Sequence, residues 1–228
     1  MIALLRYRMR LVVWLNIIMA AVVPMKSSKL FITGCNKTHS WMLPWFKENF
    51  YKHNPDAELM VFDFDVLYTD LEGWFKKPAV MLHASTLAEK VCWLDTDCEV
   101  KGDLDGIFNY VQPNKLTMAI DQPWTTRRPD RGNWYNSGVV AFQGQPLILS
   151  EWHRHIAEKL TQEVGDQEVL NWMLGGDTLR ELQYIAHMPR LYNTLRIDFI
   201  DNTAPKNHKI AHWTGRKGKE KIRELMNG

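Results

Sequence analysis

Apolar and polar positions divide the chain into short β-like runs and longer stretches with helical spacing. "KLFITGC" (29–35) is β-branched and aromatic, contains a glycine at its end, and predicts a strand. "SWMLPWFKENFYKHN" (40–54) places apolar residues at helical intervals and predicts a helix despite Pro44. "AELMVFDFD" (57–65) predicts a second strand. "PAVMLHASTLAEK" (78–90) predicts a helix with Pro78 in its first turn, where a missing N–H costs little. "VCWLD" (91–95) predicts a third strand, apolar on both faces and therefore central. This β-α-β-α-β order predicts an α/β domain with a mostly parallel central sheet and crossover helices. Further strands are expected at 115–121 and 137–143, helices at 146–162 and 166–174, and short extended segments at 182–189 and 209–215.

Composition narrows the class. The 228 residues suffice for one sizeable core, and 46% hydrophobic with 24% charged residues is ordinary for a soluble globular protein. A net charge of +2 gives no global signal for nucleic acid. Residues 205–228 are different, with seven Lys or Arg against two Glu; such a cluster attracts phosphate, or forms the solvated end of a helix. Ten tryptophans suit either packing or stacking against sugars or bases. Cys35, Cys92 and Cys98 are odd in number and form no CxxC, which argues against a disulfide framework and a zinc site and fits a reducing compartment.

The first 28 residues stand apart from the expected domain, 29–228. Arg6, Arg8 and Arg10 precede a 13-residue apolar run, Leu11 to Val23, short of the roughly 20 residues that span a bilayer as a helix. Three readings remain open: a loose tail or mis-annotated start with Met25 as the functional beginning, a membrane-surface segment over 1–24, and a secretion signal. The expected location is the cytoplasm, with or without membrane association.

The candidate chemistry begins at Asp95 and Asp97. Two carboxylates one residue apart at a strand end repel each other unless a cation or a reacting group sits between them. Hard divalent ions such as Mn²⁺ or Mg²⁺ take such oxygen ligands and are completed by substrate phosphates. "WYNSGVVAFQ" (134–143) places Asn136, Ser137 and Gly138 immediately before an apolar run, where the glycine permits close backbone approach. "GDQEVLN" (165–171) places Asp166 and Gln167 at a helix start, a position that also reads as a plain cap. "HWTGRKGK" (212–219) supplies His212, Gly215 for a tight turn, and Lys217 and Lys219.

The order strand-D-x-D, N-S-G-strand, D-Q-x-x-L-N and H-x-x-G with basic residues resembles the retaining glycosyltransferases of the glycogenin and lipopolysaccharide-galactosyltransferase type, glycosyltransferase family 8 and its relatives. The resemblance covers about Lys29 to Lys219. It implies the GT-A (nucleotide-diphospho-sugar transferase) fold. It implies Asp95, Asp97 and His212 as ligands of Mn²⁺, with Asp95 also near the donor's ribose. Lys77, with Lys76 as competitor, is implied to reach sugar or phosphate. Asn136, Ser137 and Gly138 are implied to line the donor sugar, with Asp166 and Gln167 beside its anomeric carbon. Thr33 and Asn36 are weaker candidates for the nucleoside. One departure stands out: the family's phosphate-binding lysine falls at 218, where this chain has glycine between Lys217 and Lys219.

The implied reaction moves a hexose or pentose from a nucleotide sugar, expected to be a UDP-sugar, to an acceptor hydroxyl with retention. Gln167 carries an amide, a poor nucleophile, so a front-side route is expected, with Asp166 holding sugar hydroxyls. "DQPWTTRRPDRGNWY" (121–135) reads as an acceptor edge or a solvated loop. Its Arg127, Arg128 and Arg131 suit an anionic acceptor: a phosphorylated glycan, a lipid-linked sugar or modified DNA. Two rival readings are a degenerate sugar-nucleotide-binding module and a phosphatase of the haloacid dehalogenase type, the latter lacking its late aspartate pair. The transferase reading requires the His212 ring to converge on the acidic pair; a separation beyond about 10 Å would remove it.

Overall fold

The protein is described by a computed structural model over residues 27–66, 71–159 and 165–228. The segment 1–26, with its anchor, tail and signal readings, lies outside the described residues. Among the described residues no helix is long and apolar enough to cross a membrane.

Six strands form the central sheet: β1 (Ser27–Cys35), β2 (Leu59–Asp63), β3 (Ala88–Leu94), β5 (Leu116–Ile120), β6 (Tyr135–Gln143) and β7 (Ile185–His187). Their spatial order is β2-β1-β3-β6-β5-β7. β1 runs parallel to β2 and β3, and β5 runs parallel to β7, as expected for crossover connections. β6 breaks the pattern by running antiparallel to both β3 and β5. The sheet is therefore mixed, with the reversed strand at its centre.

Both faces of the sheet are covered, which explains why its strands read as continuous apolar runs. Leu30, Ile32, Val91 and Trp93 face one core, built with α2 (Lys77–Ala84), α4 (Leu147–Lys159) and α5 (Asp166–Leu174). Phe31, Cys92 and Leu94 face the other, built with α1 (Leu43–His53) and a second, small sheet. In that second core the Phe31 ring meets Phe50 and Phe108 edge-on, at 5.2 and 5.1 Å between centroids. Pro44 sits in the first turn of α1, which is why it does not break the helix.

The small sheet has the order β4-β9-β8, from β4 (Cys98–Val100), β8 (Thr194–Leu195) and β9 (Ile210–His212). β4 begins one residue after Asp97, and its antiparallel register sets Cys98 opposite His212. A three-residue ladder thus carries the late histidine to the end of β3. The remaining helices are α3 (Gln122–Arg127), α6 (Thr178–Tyr184), α7 (Arg196–Ile200) and α8 (Gly215–Asn227).

Several boundaries differ from the sequence expectation. The helix expected over 78–90 ends at Ala84, and β3 already begins at Ala88. The segment 182–189 divides between the end of α6 and β7. Asn136, Ser137 and Gly138 do not precede a strand; they lie within β6. Period-2 alternation does not reveal this, because all three residues are buried together with their apolar neighbours.

Candidate active site

The carboxyl end of β3 opens into a cleft bordered by Asp95, Asp97, Lys77 and Lys219, with Asn36 and His39 opposite and Trp74 at its edge. The cleft holds only about 110 Å³ beside the aspartates. It shares Asn36, Phe64, Gly73 and Trp74 with an adjoining cavity of about 460 Å³, and together these reach the size of ordinary ligand sites.

Lys77 is the buried centre of the arrangement. Its Nζ lies 3.1 Å from Asp95 Oδ1 and 3.1 Å from Asp166 Oδ2. It also donates to Ser137 Oγ at 3.1 Å. Burial disfavours the ammonium, but the Asp166 and Asp95 carboxylates outweigh it and raise its pKa. Lys76, the competing candidate, points away and donates to the Phe64 carbonyl. Asp166 stands at the first position of α5, where burial pushes its carboxyl up against the opposing pull of Lys77. Its Oδ2 accepts from Ser137 Oγ at 2.9 Å, and Gln167 Oε1 accepts from the Ser137 N–H at 3.1 Å. The α5 start is therefore fastened to β6 by two side chains, beyond what a cap needs.

His212 meets the acidic pair. Its Nε2 lies 3.1 Å from Asp97 Oδ1 and 3.8 Å from Asp95 Oδ2. Burial opposes charge on both partners; their mutual attraction nevertheless holds the Asp97 carboxyl below the usual range and the His212 imidazole above its own. The ring packs tightly against β6, since a Cβ on Gly138 would fall 2.0 Å from His212 Cε1. The close approach that Gly138 permits is thus made by the imidazole.

A buried polar chain extends behind the histidine. His212 Nδ1 lies 3.0 Å from Asn193 Oδ1, and Asn193 Nδ2 donates to Asn136 Oδ1 at 2.9 Å. The Asn136 side chain donates on to Asp121, whose carboxyl is pushed up to about 6 by burial. No local pattern in the sequence marks Asn193. It enters the site because it directly precedes β8, whose register pairs Leu195 with His212.

Asp97, Cys98 and His212 offer ligand atoms that all lie within 4.8 Å of one another. The donors fit a divalent cation: with Nδ1 engaged by Asn193, Nε2 is the nitrogen turned to the carboxylates. Burial, and then the Asp97 and Asp95 charges, keep the Cys98 thiol well above its ordinary pKa, which favours oxygen and nitrogen donors over sulfur. All three cysteines are free and buried.

Not every expected donor residue borders the cleft. Asn136 and Ser137 lie beneath it and hold its walls. Thr33 is fully buried within β1, whereas Asn36 faces the opening. Gly215 opens α8 with a φ of +73°, outside the cleft lining. Of the two lysines around Gly218, Lys219 faces the cleft and helps depress Asp97, while Lys217 is exposed. Gly218 has its own reason: a Cβ there would fall 1.8 Å from the Trp213 carbonyl oxygen, so no lysine fits. Asp95, the nucleophile of the phosphatase reading, is tied to Lys77 and accepts from Trp93 Nε1 at 2.7 Å.

No protein-family model and no curated protein matches the sequence. Solved structures do. A galactosyltransferase, LgtC, crystallised with donor and acceptor sugar analogs, is 15% identical with a TM-score of 0.56, over 87% of this chain and 95% of that one. A glycosyltransferase involved in glycosylation of the major capsid of PBCV-1 is 13% identical with a TM-score of 0.64, over 88% of this chain and 100% of that one. GlyE of Streptococcus pneumoniae TIGR4 is 18% identical with a TM-score of 0.53; the match takes in 84% of this chain and 55% of GlyE. The chain has the fold of these glycosyltransferases, and the fold implied by the motif order is borne out.

Proposed function

We propose that the protein is a metal-dependent glycosyltransferase that moves a sugar from a nucleotide-diphosphate sugar, a UDP-sugar by family resemblance, to an acceptor hydroxyl with retention at the anomeric carbon. The observation that carries this reading is the convergence of Asp95, Asp97 and His212 at one strand end, 3.1 Å separating His212 Nε2 from Asp97, beside a buried lysine. A binding module that had lost its activity has no need to keep three cation ligands and an uncovered cleft.

Asp95, Asp97 and His212 would hold the Mn²⁺ or Mg²⁺. When bound, such an ion offsets the charge that develops on a departing nucleoside diphosphate. Lys219, at the rim beside Asp97, adds a mobile positive charge to the same phosphates. Lys77 bridges Asp95 and Asp166 and offsets their mutual repulsion. Asp166 is committed to Lys77 and Ser137, so it positions sugar hydroxyls and does not attack carbon. Gln167 is anchored through the Ser137 N–H, and the family resemblance would set its amide beside the sugar. LgtC, of the same fold, likewise has an active-site glutamine, replaced by glutamate in one of its solved structures. Because Asp166 is engaged by Lys77 and Ser137, the acceptor proton would pass to the leaving phosphate on the same face.

The test is hydrolysis of a panel of nucleotide sugars with and without Mn²⁺, repeated with Asp97→Asn. Slow, metal-dependent release of nucleoside diphosphate that the substitution abolishes supports the transferase. Nucleotide binding with no turnover, or hydrolysis of simple phosphate esters, overturns it.

A further inference from the structure

Three tryptophans gather where the donor cleft draws no residue. Trp124 of α3, Trp134 just ahead of β6 and Trp172 of α5 line an open cavity of about 650 Å³. Trp93 and Trp152 are fully buried and serve the core, but Trp124 and Trp172 are 39% and 53% exposed. Large exposed indoles converging on one cavity are not explained by packing.

The walls are held in place. The Trp134 N–H donates to Thr125 Oγ1 at 2.9 Å, and its carbonyl accepts from the Asp121 N–H at 2.7 Å. The loop before β6 touches the end of α5 through two glycines: a Cβ on Gly176 would fall 2.5 Å from the Arg131 carbonyl oxygen, and one on Gly132 would fall 2.9 Å from the Gly176 Cα. The cavity is thus a fixed feature of the fold.

Its polar groups are balanced. Arg128 and Arg131 share the lining with Asp130 and Glu168, so the lining carries no net charge. The Arg128 guanidinium stacks 4.4 Å from the Trp124 ring centre. Arg127, expected to join an anion-binding group, is paired with Asp201 at 3.1 Å. Flat apolar walls suit the C–H faces of pyranose rings, and alternating donors and acceptors suit their hydroxyls. Net charge for an acidic ligand is missing.

The cavity also adjoins the donor site. Glu168 follows Gln167 directly, and a Cβ on Gly165 would lie 2.7 Å from Glu168 Oε2 and 3.5 Å from Nε1 of Trp74, the indole at the edge of the donor cleft. The first turn of α5 is the partition between the two.

We infer that the Trp124–Trp134–Trp172 cavity binds a neutral oligosaccharide, the chain that carries the acceptor hydroxyl. The acceptor role rests on the transferase reading; saccharide binding itself does not. The experiment titrates the full chain, without metal or nucleotide, with neutral tetrasaccharides (β- and α-linked glucose, xylose, mannose and N-acetylglucosamine series) and with tetragalacturonate, following tryptophan fluorescence and heat. At least one neutral tetrasaccharide should bind saturably and more tightly than tetragalacturonate. Trp172→Ala should weaken it about fivefold or more, while Trp172→Phe keeps most of the affinity. Because Trp172 is half exposed, an unchanged unfolding temperature will separate lost stacking from lost fold. Absence of binding by every neutral saccharide, preference for the acidic one, or affinity untouched by Trp172→Ala would each overturn the inference. Failure of the transferase reading would show separately, in donor hydrolysis by the unmodified protein.

Discussion

Nε2 of His212 lies 3.1 Å from Oδ1 of Asp97, although 115 residues separate them in the chain. The contact follows from the β4/β9 register, which sets Cys98 opposite His212, and from the Trp213 N–H, which donates to the Asp97 carbonyl at 3.0 Å. Backbone pairing thus fixes two of the proposed cation ligands, and such preorganisation would lower the cost of binding an ion.

Gly138→Ala tests that arrangement with a single methyl group. A Cβ would occupy the place of His212 Cε1, so the imidazole must move. The protein should fold with a loss of about 1–3 kcal/mol, yet bind Mn²⁺ much more weakly. Calorimetric titration of the ion alongside thermal unfolding checks both halves.

Asn193→Ala removes the group that holds His212 Nδ1. Loss of such an outer partner should reduce Mn²⁺ affinity about 10- to 100-fold without removing a ligand. Metal titration of the variant measures it, and an unchanged affinity would mean that the register alone positions the ring.

Lys219→Ala should lower metal-dependent donor hydrolysis, since Lys219 borders the cleft beside Asp97. Lys217→Ala, on the exposed side of α8, should behave like the parent protein. Gly218→Lys should destabilise the protein, because Trp213 leaves no room for its Cβ. Steady-state kinetics and unfolding curves for the three variants distinguish these effects.

Asp121 gives a pH dependence of known sign. Its folded pKa is raised from 3.8 to about 6, by burial, so the folded state holds this proton more tightly than the unfolded chain. Its contribution is full below about pH 4 and is lost as pH rises through about 6, an amount on the order of 3 kcal/mol. Wild-type stability measured by denaturant unfolding should therefore fall from pH 4 to pH 6 relative to Asp121→Asn. A difference between the two proteins that does not vary with pH would contradict the assignment.

The legible parts of the sequence were those with local signatures. Apolar runs located β1, β2, β3 and β5, and the motif order around Asp95, Asp97, Asp166 and His212 located the cleft. Lys77 was legible only as one of a pair; both lysines are buried and they differ in partner, Lys77 meeting Asp95 and Lys76 the Phe64 carbonyl. The reversal of β6 was not legible, because its residues are buried on both faces whichever way it runs. Asn193 and the glycine contacts at 138 and 218 were invisible for a different reason: each depends on long-range register, which no local pattern encodes. The segment 121–135 reads as an acceptor edge or a solvated loop; its Trp124, Trp134, Arg128 and Arg131 line one cavity, while Arg127 turns to Asp201.

The central claim is that the two aspartates and His212 together hold one divalent ion. Titration of the full chain with Mn²⁺, followed by the loss of the free ion's electron paramagnetic resonance signal, tests it most directly. One ion should bind per chain, and Asp97→Asn and His212→Ala should each cut the affinity by about 100-fold or more while the protein stays folded. Binding of equal strength in all three proteins, or no binding in the unaltered chain even with nucleoside diphosphate present, would contradict it.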